Sequence, residues 1–349
     1  MIIQIDPLDT LFFKDSRPFT MSEETWAKGI FPPYPSVIYG ALRSAYFADH
    51  TEDLKKANEV GDPTAGLKIR GLYFLNRQDD EIYLPLPLDC VMEKGAGNSV
   101  SLLQMKELSG IVSSCPTRYV LKGGGDVENV EEGLINKKAL NEYLKCSKES
   151  FSSVIRLSDM VLTEPKVGIS IDKKKGRAAE GMLYRIGTKR LNKLCLVVDF
   201  EGLELPEHGM MKLGGEGKAV SYRRIGLSQP VVDNYSSTNS KFKVYLSTPA
   251  FFTNGWLPGW IDQKTLVGKI GNIEVELLTA AIAKPSSIGG FDMKTQKPKP
   301  MRKTVPAGSV YYFEIQDGSF QDALDAFNQR PISDFNPEQG FGVAYVGGV

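Results

Sequence analysis

Histidine is almost missing from this sequence: His50 and His208 are the only two in 349 residues. The four cysteines, Cys90, Cys115, Cys146 and Cys195, are scattered, with no C-x-x-C pair among them. Zinc modules need clustered Cys and His ligands, so no metal site is expected. Sparse, unpaired thiols suit a reducing compartment rather than a disulfide-stapled secreted domain. No apolar run approaches the roughly 18 residues of a membrane-spanning helix. The first residues read directly as a strand, so neither a signal peptide nor a membrane partner is expected, and the sequence reads as cytoplasmic. Hydrolase and metalloenzyme signatures such as G-x-S-x-G and H-E-x-x-H are absent, as are clustered carboxylates. Net charge is missing too: 42 Lys and Arg balance 42 Asp and Glu, so bulk charge selects no class of partner.

Charge is present locally. From Asp172 to Lys193 eight cations (Lys173, Lys174, Lys175, Arg177, Arg185, Lys189, Arg190 and Lys193) face two acids, Asp172 and Glu180. Two apolar β-type runs, Val167–Ile171 and Leu194–Val198, flank this stretch, which therefore reads as a protruding basic hairpin on a neutral body. Such a feature suits a polyanion held at one place, and nucleic acid is the obvious candidate. A second basic loop, Lys284 to Pro306, carries Lys294, Lys297, Lys299, Arg302 and Lys303, and its prolines Pro298 and Pro300 keep it extended. An acidic stretch, Asp126 to Glu132, leaves room for protein partners as well.

Periodicity organises the rest. Met1–Ile5 is a strand stopped by Asp6-Pro7, and an aromatic, proline-rich segment follows it to Pro35. Ile38, Ala41, Leu42, Ala45 and Tyr46 recur at helical spacing and predict a helix over Ser36 to Asp49, with Ser36 as N-cap. Leu67–Leu75 and Glu81–Leu86 predict a hairpin. Residues 98–152 read as irregular apart from a short helix at Lys137–Leu144. Val220–Arg224 closes the first half, and the polar run Asp233 to Ser240 is the linker candidate. The pattern then restarts: a strand at Phe242–Ser247, strands at Ile273–Ile282 and Ser309–Ile315 around the second basic loop, a helix at Phe320–Asn328, and a Gly loop running into Val343–Val346. Each half thus opens with a strand and Pro, carries a hairpin with a basic loop, and ends in a Gly loop plus strand. The order strand, helix, hairpin, helix, strand is the ferredoxin-like plan that RNA-recognition domains also use. The expectation is an α+β chain of two tandem ferredoxin-like (RRM-like) domains with long hairpin and loop insertions: residues 1–236, carrying the basic hairpin, and residues 237–349.

Five motifs carry a family resemblance. D-P-L-D-T-L-F-F-K-D-S-R-P-F at 6–19, P-S-V-I-Y-G-A-L-R at 35–43, G-G-E-G at 214–217, P-A-G-S-V-Y-Y-F at 306–313 and G-F-G-V-A-Y-V at 340–346 resemble the third-subunit family of the Cmr complex. That complex is the RNA-targeting type III-B CRISPR effector of antiviral defence, and the family belongs to the RAMP superfamily. The resemblance implies two RAMP domains and a non-catalytic subunit without cofactor. Such a subunit grips the repeat-derived 5′ end of the guide RNA and bridges the large polymerase-like subunit to the backbone RAMP subunits. It also implies that a long hairpin, here 171–193, and a glycine-rich loop touch RNA. The alternative within the superfamily is an endoribonuclease that processes guide RNA, for which His50, just past the helix, is the candidate catalytic group.

Each candidate RNA contact has a plainer reading. Lys173, Lys174, Lys175, Arg177 and Arg185 neutralise phosphates and Tyr184 stacks on an unpaired base, or the whole stretch is a solvated flexible loop. Gly214, Gly215 and Gly217 beside Lys218 form either an anion-binding nest or a tight turn, and Arg223 and Arg224 adjoin them. Gly40 and Arg43 share a helix face that meets either a phosphate or, through Arg43, a local carboxylate. Lys14 and Arg17 are either RNA contacts or ion-pair partners of Asp15.

Overall fold

Strands dominate the computed structural model, which describes residues 1–14, 26–94, 99–110, 116–152, 154–172, 177–226, 232, 236–292 and 297–349. In the first half, β1 (Ile2–Pro7), β2 (Lys68–Asn76), β3 (Glu81–Pro85), β4 (Leu194–Glu201) and β5 (Ala219–Arg224) stand in the order β3-β2-β4-β1-β5. Gly133–Asn136 and Val154–Arg156 extend this sheet beyond β3, and His208–Lys212 extends it beyond β5. In the second half, β6 (Lys241–Leu246), β7 (Ile273–Ala281), β8 (Val310–Asp317) and β9 (Val343–Gly348) stand in the order β7-β8-β6-β9. All of these pairings are antiparallel. With β3 set aside as the hairpin partner of β2, each half places its second, third, first and fourth strands side by side.

Helices α1 (Pro35–Asp49), α2 (Lys137–Leu144) and α3 (Phe320–Phe327) fall where the apolar periodicity predicts them. Ser36 is not the cap of α1. Tyr34 holds that position and Pro35 takes the first helical residue, where its missing N–H leaves nothing unsatisfied. Between β1 and β2 the first half keeps its helix, but between β4 and β5 it has the strand His208–Lys212 instead. The second half does the reverse: 249–266 is an aromatic loop and α3 joins β8 to β9. Each half therefore has one crossing helix where the repeat predicted two, and the chain is mostly β rather than evenly α+β. Among the described residues no helix is long and apolar enough to cross a membrane.

Alternation along the strands divides the core in three. Leu194, Leu196, Val198 and Phe200 face α1 residues Ile38, Ala41, Leu42 and Ala45, while Val197 points to the opposite side of the sheet. Phe242, Val244 and Leu246 likewise pack on Phe320, Ala323 and Phe327 of α3. The remaining faces meet each other, with Tyr73, Leu84 and Val197 against Tyr245, Leu278, Tyr312 and Tyr345. Two hydrogen bonds cross this inter-sheet layer, Tyr73–Tyr345 and Tyr312–Asp89. The Tyr73 and Tyr345 hydroxyls lie 3.0 Å apart, and Asp89 accepts from Tyr143 at 2.7 Å and Tyr312 at 2.6 Å. Burial pushes the Tyr73, Tyr143 and Tyr312 phenols well up, so all three stay neutral, and Tyr143 and Tyr312 donate to Asp89.

Two further expectations change. Residues 98–152 are not merely irregular: short strands there pair into a four-stranded sheet (Ser150–Phe151, Val100–Leu102, Cys90–Glu93, Val127–Asn129) and a two-stranded one (Gln104–Glu107, Tyr119–Lys122). Strands this short leave no legible alternation. The second basic loop is itself a hairpin, Ser286–Asp292 paired with Lys297–Thr304.

Candidate nucleic-acid interface

The first basic hairpin pairs Val161–Asp172 with Arg177–Leu191. Its return arm is therefore the segment expected to be a loop, and Leu194–Val198 is not an arm but part of β4 in the core. Lys193, with φ +64°, turns the chain sharply out of the hairpin and into β4, and Arg77 N–H donates to its carbonyl at 2.8 Å. Lys173, Lys174 and Lys175 lie outside the described residues, as does Arg17.

The hairpin has two unlike faces. Ile186 and Thr188 are buried and mark the face that rests on the body. Tyr184 shares that face and lies against Gly168, where any Cβ would collide with its ring. Tyr184 thus packs on the opposite arm rather than standing in a solvated loop, and it remains half-buried. The outer face carries Arg185 opposite Val167, with Ile169 next along the strand. A short strand, Trp26–Ala27, adds parallel to Arg185–Ile186 and sets Trp26 level with Arg185. Trp26 is 42% exposed, Val167 57% and Ile169 49%, and Arg185 and Arg177 are exposed. An aromatic ring, a guanidinium and two aliphatic side chains open to solvent suit base stacking beside a phosphate contact. Trp26, Val167 and Ile169 were not among the expected contacts. Val167 and Ile169 belong to an apolar run read as a strand flanking the basic stretch, and Trp26 to the aromatic, proline-rich segment before Pro35.

At the root of the hairpin the cations are taken up by surface contacts within the chain. Arg190 reaches Glu164 at 3.0 Å and Asp9 at 3.1 Å, and Lys166 reaches Glu216 at 3.4 Å. Lys189 donates to Thr163 at 2.9 Å, and burial, reinforced by Lys28 against the pull of Glu132, lowers its pKa. Backbone bonds between Leu11 and Lys189, at 2.8 and 2.7 Å, fasten the hairpin to the segment after β1.

The glycine loop docks on that same segment. Gly215 N–H donates to the Phe12 carbonyl at 2.8 Å, and Lys218 N–H closes the turn onto Gly215 at 3.3 Å. Gly214, at φ +81°, is so close to the Phe12 carbonyl that a side chain would collide with it. Lys218 Nζ donates to Asp9 Oδ2 at 3.0 Å and Thr10 Oγ1 at 2.9 Å. The loop is a turn seated on Phe12 through Gly214 and Gly215, with Gly217 in open space. Of Asp9's shift to a pKa of about 2, the Lys218 contact is the largest cause, followed by the Thr10 N–H, with Arg190 also contributing.

The remaining candidates separate similarly. Arg43 donates to Thr64 at 2.7 Å, Asn58 at 2.8 Å and Asp62 at 2.6 Å, so its partner is the local carboxylate. Gly40 is exposed, with open space where a side chain would stand. Arg223 donates to Gln4 at 3.0 Å and Arg224 to Glu207 at 3.2 Å, both from the exposed end of β5. Lys14 is exposed and bridges to Gly29, which packs on Gly187 of the hairpin. His50 ends α1 with its ring stacked on Tyr46 at 4.3 Å and Nδ1 3.0 Å from the Tyr46 carbonyl.

The sequence profile of the family described as CRISPR-associated protein (Cas_Cmr3) matches residues 3–348. No curated protein sequence matches significantly. Among solved structures, a chain of the type III-B Cmr-beta complex bound to cognate target RNA resembles this one with a TM-score of 0.50 at 18% identity, covering 89% of this chain and 86% of that chain. A chain of the same complex with cognate target RNA and AMPPnP, state 1, gives a TM-score of 0.51 at 18% identity over the same shares. At such identity the likeness speaks to the fold.

Proposed function

Because this chain belongs to the CRISPR-associated Cmr3 family, we propose that it is a non-catalytic RNA-binding subunit of a type III-B effector complex in antiviral defence. It holds the repeat-derived 5′ end of the guide RNA and bridges the large polymerase-like subunit to the backbone subunits. The observation that carries the reading is the outer face of the first hairpin, where Trp26, Arg185, Val167 and Ile169 are open to solvent. Phosphate contacts from Arg185, Arg177 and the sequence-adjacent Lys173, Lys174 and Lys175 position the strand, and Trp26 stacks on an unpaired base. The shared strand order of the two halves supports two tandem ferredoxin-like domains, 1–236 and 237–349, each lacking one crossing helix.

The endoribonuclease alternative finds little support at His50. The fifteen-residue helix α1 sets this imidazole about 22 Å from the Pro35 end, and the ring is already engaged by Tyr46. The test is RNA retention in the purified complex after reversing Lys173, Lys174, Lys175 and Arg177 to Glu. Loss of guide RNA from a complex with intact subunits supports the reading, whereas unchanged RNA occupancy overturns it. Cleavage of repeat RNA by the chain alone, abolished by His50→Ala, would establish the enzyme instead.

A further inference from the structure

The second hairpin has the more available charge. Lys297, Lys299, Arg302 and Lys303 are exposed, and among the described residues none of them makes an ion pair. Asp292 is the one acid on the described arms. In the first hairpin, by contrast, Lys166 and Arg190 are tied to carboxylates.

The backbone also directs these cations. Lys297 pairs with Asp292, Lys299 with Gly290 and Arg302 with Ile288, so three steps on one arm oppose two on the other. This bulge brings Lys299 and Arg302 onto one face, which a regular strand would not do. At its root that face joins the body: Ile288 is buried with Phe251 and Phe341, and Tyr34 and Phe335 pack against them. The Arg302 guanidinium lies 4.0 Å over the Phe335 ring, so an aromatic ring holds it.

One short segment connects the two hairpins. Gly29 packs on Gly187 of the first, and Tyr34 packs in the cluster under the second. Five residues span at most about 18 Å. At the roughly 3.4 Å per nucleotide of one stacked strand, this distance covers about five nucleotides.

We propose that the Ser286–Thr304 hairpin is a second backbone-binding arm for single-stranded RNA, gripping the same strand as the first hairpin across the Gly29–Tyr34 segment. This inference rests on the RNA-binding reading above. Its specificity is for phosphate rather than sequence, because lysines and one guanidinium face the ligand.

The test compares salt dependence of binding for the full chain, using 4-nucleotide and 20-nucleotide single-stranded RNAs. Two charge-reversal variants are measured, Lys297→Glu/Lys299→Glu/Arg302→Glu and Arg177→Glu/Arg185→Glu. Removing three phosphate contacts should reduce the slope of log K against log salt by about 2 on the long RNA. The short RNA, which spans only one arm, should show a smaller change. If only the first-hairpin variant loses slope, the second-arm inference is overturned and the RNA-binding reading stands. If the wild-type chain binds neither RNA, both fall. If the triple variant sheds a protein subunit from the purified complex at unchanged RNA slope, the hairpin is a protein contact and the inference is overturned. Should the triple variant melt below the wild type, RNA crosslinks mapped on the wild-type chain decide. Crosslinked peptides covering 297–303 support the second arm, and crosslinks confined to the first hairpin overturn it.

Discussion

Lys218 Nζ lies 3.0 Å from Asp9 Oδ2, so the cation that follows the glycine turn is held inside the fold. The same carboxylate takes Arg190 at 3.1 Å and so links the glycine loop, the segment after β1 and the root of the first hairpin. The charge that made this loop resemble a phosphate cradle is therefore part of the hairpin's mounting.

That contact predicts a pH signature. The Asp9 carboxyl titrates at about 2, below its ordinary 3.8, chiefly because Lys218 donates to it. A depressed carboxyl contributes its stability above the unfolded pKa and loses it as pH falls through the folded one. The stability gap between wild type and Asp9→Asn should be constant above about pH 5, narrow below about pH 4 and close near pH 2. Urea unfolding across that range measures it. A gap that persists unchanged at pH 2 would show that Asp9 acts through something other than its charge.

The two left-handed glycines of the turn should differ. Gly217, at φ +65°, has open space where a side chain would stand, so Gly217→Ala costs only the backbone conformation, about 1–2 kcal/mol. Gly214→Ala adds a collision with the Phe12 carbonyl and should cost at least about 1 kcal/mol more. Equal losses in denaturant unfolding would mean that the loop does not need its close seat on Phe12.

On α1, two expected RNA contacts should behave as structural positions. Asp62 has a side chain only 6% exposed, so Arg43→Ala strands a carboxylate. The loss should approach about 3 kcal/mol, the low end for a broken buried pair, since Asn58 and Thr64 still donate to Asp62. Gly40→Ala should instead stabilise the helix by about 0.5–1 kcal/mol, because its face is open. Neither change should move RNA affinity by more than about twofold. A tenfold loss in a binding titration with either variant would return α1 to the interface.

What the sequence disclosed depended on how far each signal was local. The helix Lys137–Leu144 and the hairpin around Asn76 to Asp80 follow from spacing within a few residues, and they stand where that spacing puts them. The first hairpin's basic character was legible, but its register was not. Leu194–Val198 looks like an arm until Leu196 is seen facing α1 and Val197 facing the second sheet. Partners distant in sequence were invisible in principle. Nothing local to Lys218 announces Asp9, and nothing local to Arg43 announces Asp62. Trp26, one aromatic of the proline-rich segment before Pro35, pairs in parallel with Arg185 and is left 42% exposed. Phe251 and Phe252, adjacent aromatics in the loop after β6, are each 5% exposed because they join two separate clusters, with Ile288 and Phe341 for one and the α3 core for the other.

The outer face of the first hairpin yields the sharpest separation of roles. Trp26→Ala removes a stacking surface worth about 1–3 kcal/mol per base, a loss of about 5- to 150-fold in affinity for single-stranded RNA. Because the indole touches no phosphate, the salt slope should stay where it is. Arg185→Gln should do the converse, lowering the slope by about 0.7 through one lost phosphate contact. Arg190→Gln is the control. Its guanidinium belongs to Glu164 and Asp9, so RNA binding should be retained while the hairpin root loosens. Salt-dependent titrations of the three variants separate these effects. A slope change with Trp26→Ala, or an affinity loss with Arg190→Gln as large as that with Arg185→Gln, would mean that the RNA lies against the root rather than the outer face.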